Sequence, residues 1–128
     1  MAANPPQVPG FRSETYNPDR LIAGSADIVT ETAVIGAGAN LERGTLLGVI
    51  TASGKFVQST AAASDGSETP VAILVDHAPA ASADASAGIY VAGEFNENAI
   101  IYGAGHTAAS VKAGLRARGI YLKTPIPA

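Results

Sequence analysis

In a chain with no cysteine, chemistry has to come from histidines, carboxylates, hydroxyls or a glycine-lined anion site. The histidines are His77 and His106. Asp76 precedes His77, but neighbouring residues of an extended chain point to opposite faces, so this adjacency cannot make an acid–base pair. His106 stands just before a helix start, where an imidazole bonds locally or faces solvent. Two histidines without a thiolate, or a spaced carboxylate on the same element, are too few for zinc. Gly103-Ala-Gly-His-Thr leads into the same helix, a position that can cradle phosphate. A P-loop would need Gly-Lys-Ser/Thr there, and a dinucleotide site a G-x-G-x-x-G run; His106, Thr107 and Ala108 match neither. The carboxylate pairs Glu94/Glu97 and Asp65/Glu68 lie among small residues, away from the apolar surroundings that shift a pKa for proton transfer. Serine is plentiful, but no Gly-x-Ser-x-Gly elbow occurs. The expectation is a protein with no catalytic residue, no metal and no cofactor.

The elements that would have to position such groups are mostly strands. Asp27 to Ile35 alternates as a half-buried strand does and stops at Gly36-Ala-Gly-Ala-Asn. Thr45–Thr51 and Lys55–Gln58 flank the turn Ala52-Ser-Gly as a hairpin, with Gly48 marking a bend or bulge. Ser59–Thr69 reads as a loop. Pro70-Val-Ala-Ile-Leu-Val-Asp is a continuous apolar run, the pattern of a central strand. His77–Gly88 is low in complexity and, with Pro79, reads as a loop. Ile89–Phe95 and Asn98–Tyr102 read as strands, and Ile120–Lys123 as a short final one. One helix follows Thr107 as N-cap, with Val111 and Leu115 at i, i+4, basic residues in its later half and Gly119 beyond its end. Gly114 inside that helix suggests close packing against another element.

Residues 1–20 differ from the rest. Pro5, Pro6, Pro9 and Pro18 remove backbone donors and favour extended conformations, while Val8, Phe11 and Tyr16 supply apolar anchors. The reading is a flexible N-terminal arm, residues 1–20, that orders on a partner, followed by a single β-rich domain, residues 21–128. Length and composition agree with one domain and a modest core, since much of the 47% hydrophobic fraction is alanine. A thin core makes oligomerisation a second source of burial. The net charge of −3 argues against nucleic acid, and Arg116 with Arg118 is too small a cluster to follow a phosphate backbone. The N-terminal residues lack a signal-peptide pattern, and no apolar stretch approaches the length of a membrane span.

The order of three segments carries a resemblance. Arg43 to Asp76, beginning Arg-Gly-Thr-Leu-Leu-Gly-Val-Ile-Thr, comes first. Val91-Ala-Gly-Glu-Phe-Asn-Glu follows, and Gly105-His-Thr-Ala-Ala-Ser-Val-Lys with Leu115-Arg-Ala-Arg-Gly-Ile closes the series. Across roughly Tyr16 to Lys123 the chain resembles the head decoration proteins of lambda-type tailed bacteriophages. That resemblance implies a mainly β, β-clip-like bent ribbon with one short α-helix and an extended N-terminal arm. It implies a homotrimer that binds the major capsid protein at local three-fold sites of the expanded head and stabilises it against internal DNA pressure. The implied location is the capsid exterior of the virion, after synthesis in the host cytoplasm, with no small-molecule substrate. Val8, Phe11, Thr15 and Tyr16 of the arm are the expected capsid-binding residues. The alternative is a trimeric β-clip nucleotide hydrolase resembling dUTPases, for which Tyr102-Gly103 is a poor substitute for the pyrimidine-recognition hairpin. A secreted adhesion or lectin-like module would need an export signal.

Overall fold

A computed structural model describes residues 21–24 and 27–124. The chain forms β1 (Val29–Ile35), β2 (Ala39–Leu41), β3 (Leu46–Val49), β4 (Phe56–Gln58), β5 (Pro70–Leu74), β6 (Ala78–Ala80) and β7 (Ala85–Asn96). A 3-10 turn (Glu97–Ala99), α1 (Ala108–Arg116) and β8 (Ile120–Lys123) complete it. The domain is mainly β with one helix, as expected. Its main sheet runs β1-β4-β3-β5-β7-β8, and β1 also pairs with β7, so the first five strands of that order close into a small barrel.

Period-two alternation explains where the core lies. On β3, Leu46 and Leu47 are both fully buried but belong to different apolar clusters. The same split separates Ile73 from Leu74 on β5 and Tyr90 from Ile89 on β7. Successive side chains of a strand leave on opposite faces, so β3, β5 and β7 are buried on both. This is why residues 70–76 read as an unbroken apolar run. One cluster gathers Leu46, Ile73, Tyr90 and Phe95 against Val111 and Leu115 of α1 and Ile120 and Leu122 of β8. The other gathers Ile35, Leu47, Leu74 and Ile89 with Ala72, Ala78 and Ala80. Alanine therefore fills the tighter core, where larger side chains would hold the strands apart.

β7 is the organising strand. Its first part pairs with β1 over Val29↔Ala92 to Ile35↔Ala85, and with β5 at Ile73↔Tyr90 and Leu74↔Ile89. After Gly93, whose φ of +143° few side-chain-bearing residues adopt, it pairs in parallel with β8. The β3–β4 hairpin forms as the sequence indicates, with left-handed Gly54 in its turn. The bulge expected at Gly48 is present as a register shift between Leu47 and Gly48 against β5.

Several expectations require correction. Asn98–Tyr102 is not a strand: the Asn96 side chain accepts from the Asn98 amide at 2.9 Å, caps a 3-10 turn, and leaves only a bridge between Ile101 and Thr45. His77–Gly88 is not one loop: Ala78–Ala80 pairs with β2, and β7 begins at Ala85. Pro79 is tolerated because the two-stranded β2–β6 sheet leaves each strand a free edge. β1 is exposed along most of both faces, since Ser86, Ala87 and Gly88 opposite it offer little to pack against. α1 begins at the expected cap, but Gly119 lies two residues past the C-cap Ala117, in the left-handed region at φ +92°. The arm, residues 1–20, lies outside the described residues.

Gly114 contradicts the packing expectation. It is exposed, and a Cβ there would meet nothing within 4 Å. Gly114→Ala should therefore stabilise the domain by about 0.5–1 kcal/mol, through helix propensity alone. A rise in the urea midpoint with an unchanged slope would register this, and a fall would refute it.

Candidate functional site

The groups with chemical potential are each committed to the architecture. His106 Nε2 lies 3.0 Å from the hydroxyl of Ser59, which is fully buried. The seam continues where the Ala61 amide donates to the Ala104 carbonyl at 2.9 Å. A Cβ on Gly103 would fall 1.8 Å from the Ser59 carbonyl oxygen, and one on Gly105 2.7 Å from Ala61 Cβ. The glycines before α1 thus permit two backbone segments to touch. The helix start is occupied as well: Thr107 Oγ1 accepts from the Ser110 amide at 3.2 Å, and Ser110 Oγ from the Thr107 amide at 2.9 Å. This reciprocal capping box satisfies donors that a phosphate would otherwise seek. Thr107→Ala should cost about 1 kcal/mol, measurable as a lowered melting temperature.

His77 Nδ1 lies 3.0 Å from Glu42 Oε2 on the surface, while the Asp76 carboxylate accepts from the His77 backbone amide at 2.8 Å. As the sequence indicates, the adjacent acid and imidazole do not form a pair. The carboxylates Glu94 and Glu97 each take a lysine: Lys123 at 3.0 Å and Lys112 at 2.8 Å. Asp65 receives the Ser67 hydroxyl and amide, at 2.5 and 3.0 Å, and Glu68 the Gly66 amide at 2.9 Å, closing a turn. Tyr102 donates its hydroxyl to the Glu97 carbonyl at 2.8 Å, and burial, reinforced by the Glu97 charge, pushes its pKa up to about 12. Tyr102 and Gly103 are both engaged within the domain. Among the described residues no three His, Asp or Glu side chains cluster as a metal-holding group.

Three carboxyls are held below their ordinary values. The Ser67 hydroxyl does this for Asp65, Lys55 for Asp84, and Lys112 with Thr124 for Glu97. A depressed folded pKa contributes stability that is present above the unfolded value and lost as pH falls through the folded one. The urea midpoint should therefore hold from pH 7 to 5 and fall below about pH 4. Glu97→Gln should blunt that fall; a midpoint that rises on acidification would contradict the assignment.

Sequence reasoning missed Arg43. Its guanidinium donates to the Val75 carbonyl and the Tyr90 hydroxyl and lies 5.6 Å from the Tyr90 ring centroid. It also missed a groove of about 270 Å³ between β8 and the end of α1, lined by Glu94, Arg116, Tyr121, Leu122 and Lys123. The sequence shows only a charge asymmetry: all eleven acidic residues precede Asn98, while Lys112, Arg116, Arg118 and Lys123, half of the eight basic ones, follow it. Apolar side chains are exposed as well, with Ile28, Val29 and Val34 on and beside β1, and Tyr121 on β8.

A domain whose polar groups serve its own architecture, and which leaves apolar and charged surface open, is suited to recognition. The family model of bacteriophage lambda head decoration protein D matches residues 11–120. The chain belongs to that family. Head decoration proteins are structural components, which accords with the way His77, His106 and the carboxylates are used here. The match includes the arm residues Phe11, Thr15 and Tyr16 and leaves Val8 outside; all four lie outside the described residues. No curated protein matches the chain.

Proposed function

We propose that the protein cements a tailed-phage head: it binds the major capsid protein of the expanded shell as a homotrimer at local three-fold sites and stabilises the shell against internal DNA pressure. The observation that carries this reading is the family match over residues 11–120. It acts on the capsid exterior of the virion, after synthesis in the host cytoplasm, and needs no small-molecule substrate.

The physics of the reading is surface burial. Phe11 and Tyr16 would each contribute roughly 1.5–3 kcal/mol on leaving water, and part of that is lost in ordering the arm. Val8 and Thr15 complete the contacting segment, and the prolines around it favour an extended conformation of the kind that adds to a sheet edge. One arm binds weakly; three on one trimer raise avidity by about 10²–10⁴-fold. A protein that binds only the expanded lattice shifts the shell toward that state.

Purified protein mixed with undecorated heads, expanded and unexpanded, tests this by sedimentation. Saturable binding to expanded heads in multiples of three chains per site is expected, together with slower loss of packaged DNA on heating. Absence of binding to expanded heads would overturn the reading.

A further inference from the structure

The groove at the end of α1 has features that point to a particular occupant. Arg116, the last residue of α1, lines it and forms no ion pair among the described residues. Glu94, the acid on its wall, is already neutralised by Lys123 at 3.0 Å. Its side chain lies against Gly24, where a Cβ would fall 1.6 Å from the carboxylate oxygen. The groove's net character is therefore cationic, in a chain whose overall charge is −3. Tyr121 is 43% exposed and supplies an apolar wall beside Leu122.

The backbone adds a directional element. The bond from the Gly93 amide to the Gly119 carbonyl sets the phase of the parallel β7–β8 pairing. In that phase Tyr121 and Lys123 bond to β7, and Leu122 turns its amide and carbonyl away from it. No partner for them occurs among the described residues. β8 is the last strand of the sheet, Leu122 lines the groove at 5% exposure, and an unpaired strand edge can take an added strand.

We propose that this groove seats an extended acidic segment of the shell protein, with Arg116 holding its carboxylate, Tyr121 flanking an apolar side chain and the Leu122 backbone pairing with its main chain. The inference rests on the capsid-binding reading and gives that binding a second contact, separate from the arm. Charge complementarity selects the occupant: the C-terminal part of the chain carries four basic residues from Lys112 onward and no acid, so it attracts acidic surfaces and repels basic ones.

The test is a sedimentation titration of expanded, undecorated heads at low and physiological salt, using the full chain, Arg116→Glu, Arg116→Gln and Tyr121→Ser. Both side chains are exposed, and circular dichroism melts verify that each variant folds. Should Arg116→Glu weaken the helix end, Arg116→Gln and Tyr121→Ser still decide the matter. The expected result is binding weakened at least about tenfold in Arg116→Glu and Tyr121→Ser, with a flatter salt dependence in both Arg116 variants. If the full chain binds and the variants match it, the groove proposal falls while the capsid-binding reading stands. If the full chain does not bind, both fall. A short duplex DNA run in parallel separates the remaining case: Arg116-dependent DNA capture by the full chain would reassign the groove to nucleic acid and overturn the acidic segment.

Discussion

Phe95→Ala is expected to destabilise the domain by about 3–5 kcal/mol, a large part of the 5–15 kcal/mol typical of a folded domain. Phe95 is fully buried and its ring centroid lies 5.1 Å from that of Tyr90 at 49°. It stands where β7 passes from the barrel to β8, in the cluster that joins the sheet to α1. Neighbours from four elements converge on this cluster, so they cannot all close over the space left behind. The cost is then transfer plus cavity, rather than transfer alone. A second effect follows from Tyr90, which loses its ring partner while it still accepts from Arg43 at 3.0 Å. Urea unfolding of the purified domain should show a midpoint lowered by at least about 1 M at an unchanged slope. A loss below about 1 kcal/mol would mean that the ring is not where the packing places it.

Gly103→Ala is expected to destabilise by about 1–3 kcal/mol or more, although it adds a single methyl group. That methyl would sit 1.8 Å from the Ser59 carbonyl oxygen and 2.8 Å from its carbon. The obstacle is backbone, and it is pinned from several directions. The Ser59 amide donates to the Leu46 carbonyl at 2.9 Å, its hydroxyl meets His106, and Ala61 bonds Ala104. Relief requires parting the whole seam between the loop after β4 and the approach to α1. Gly48→Ala should act in the same direction, since its Cβ would lie 2.1 Å from the Ser67 carbonyl oxygen. The comparison with Gly114→Ala is the informative one: the same chemical change should destabilise at 103 and stabilise at 114. Parallel denaturation curves for the two variants decide it, and the same sign at both sites would contradict the packing.

That contrast shows what was legible in the sequence. The helix was readable because Thr107, Val111 and Leu115 report cap and buried face at once. The same spacing turns Gly114 outward, yet glycine inside a helix signals equally a close contact or an open face. The run from Pro70 to Asp76 revealed a central strand, since burial on both faces erases alternation. The alanines of 78–80 concealed one, because small side chains carry no periodic signal even when Ala78 and Ala80 are fully buried. Barrel closure through β1 and β7 was not readable, since that pairing joins residues some fifty positions apart, such as Ile35 and Ala85. Asn98–Tyr102 misled because its apolar residues look strand-like, while the deciding interaction, the Asn96 cap, lies outside them. As for function, the sequence correctly separated Asp76 from His77, and the family was legible from the order of its segments. The groove was not, because Glu94 and Arg116 come together only through the β7–β8 pairing and the docking of α1.

The proposed source of binding energy is the surface of this chain that leaves water at the shell. It is tested most directly by titrating undecorated expanded heads with the full chain and with residues 21–128, and measuring the bound fraction by sedimentation. Saturable binding of the full chain is expected, with a loss of about 10²-fold or more on removing residues 1–20. Equal binding by the shortened chain would contradict the role given to Val8, Phe11, Thr15 and Tyr16, and failure of both chains to bind would contradict decoration itself.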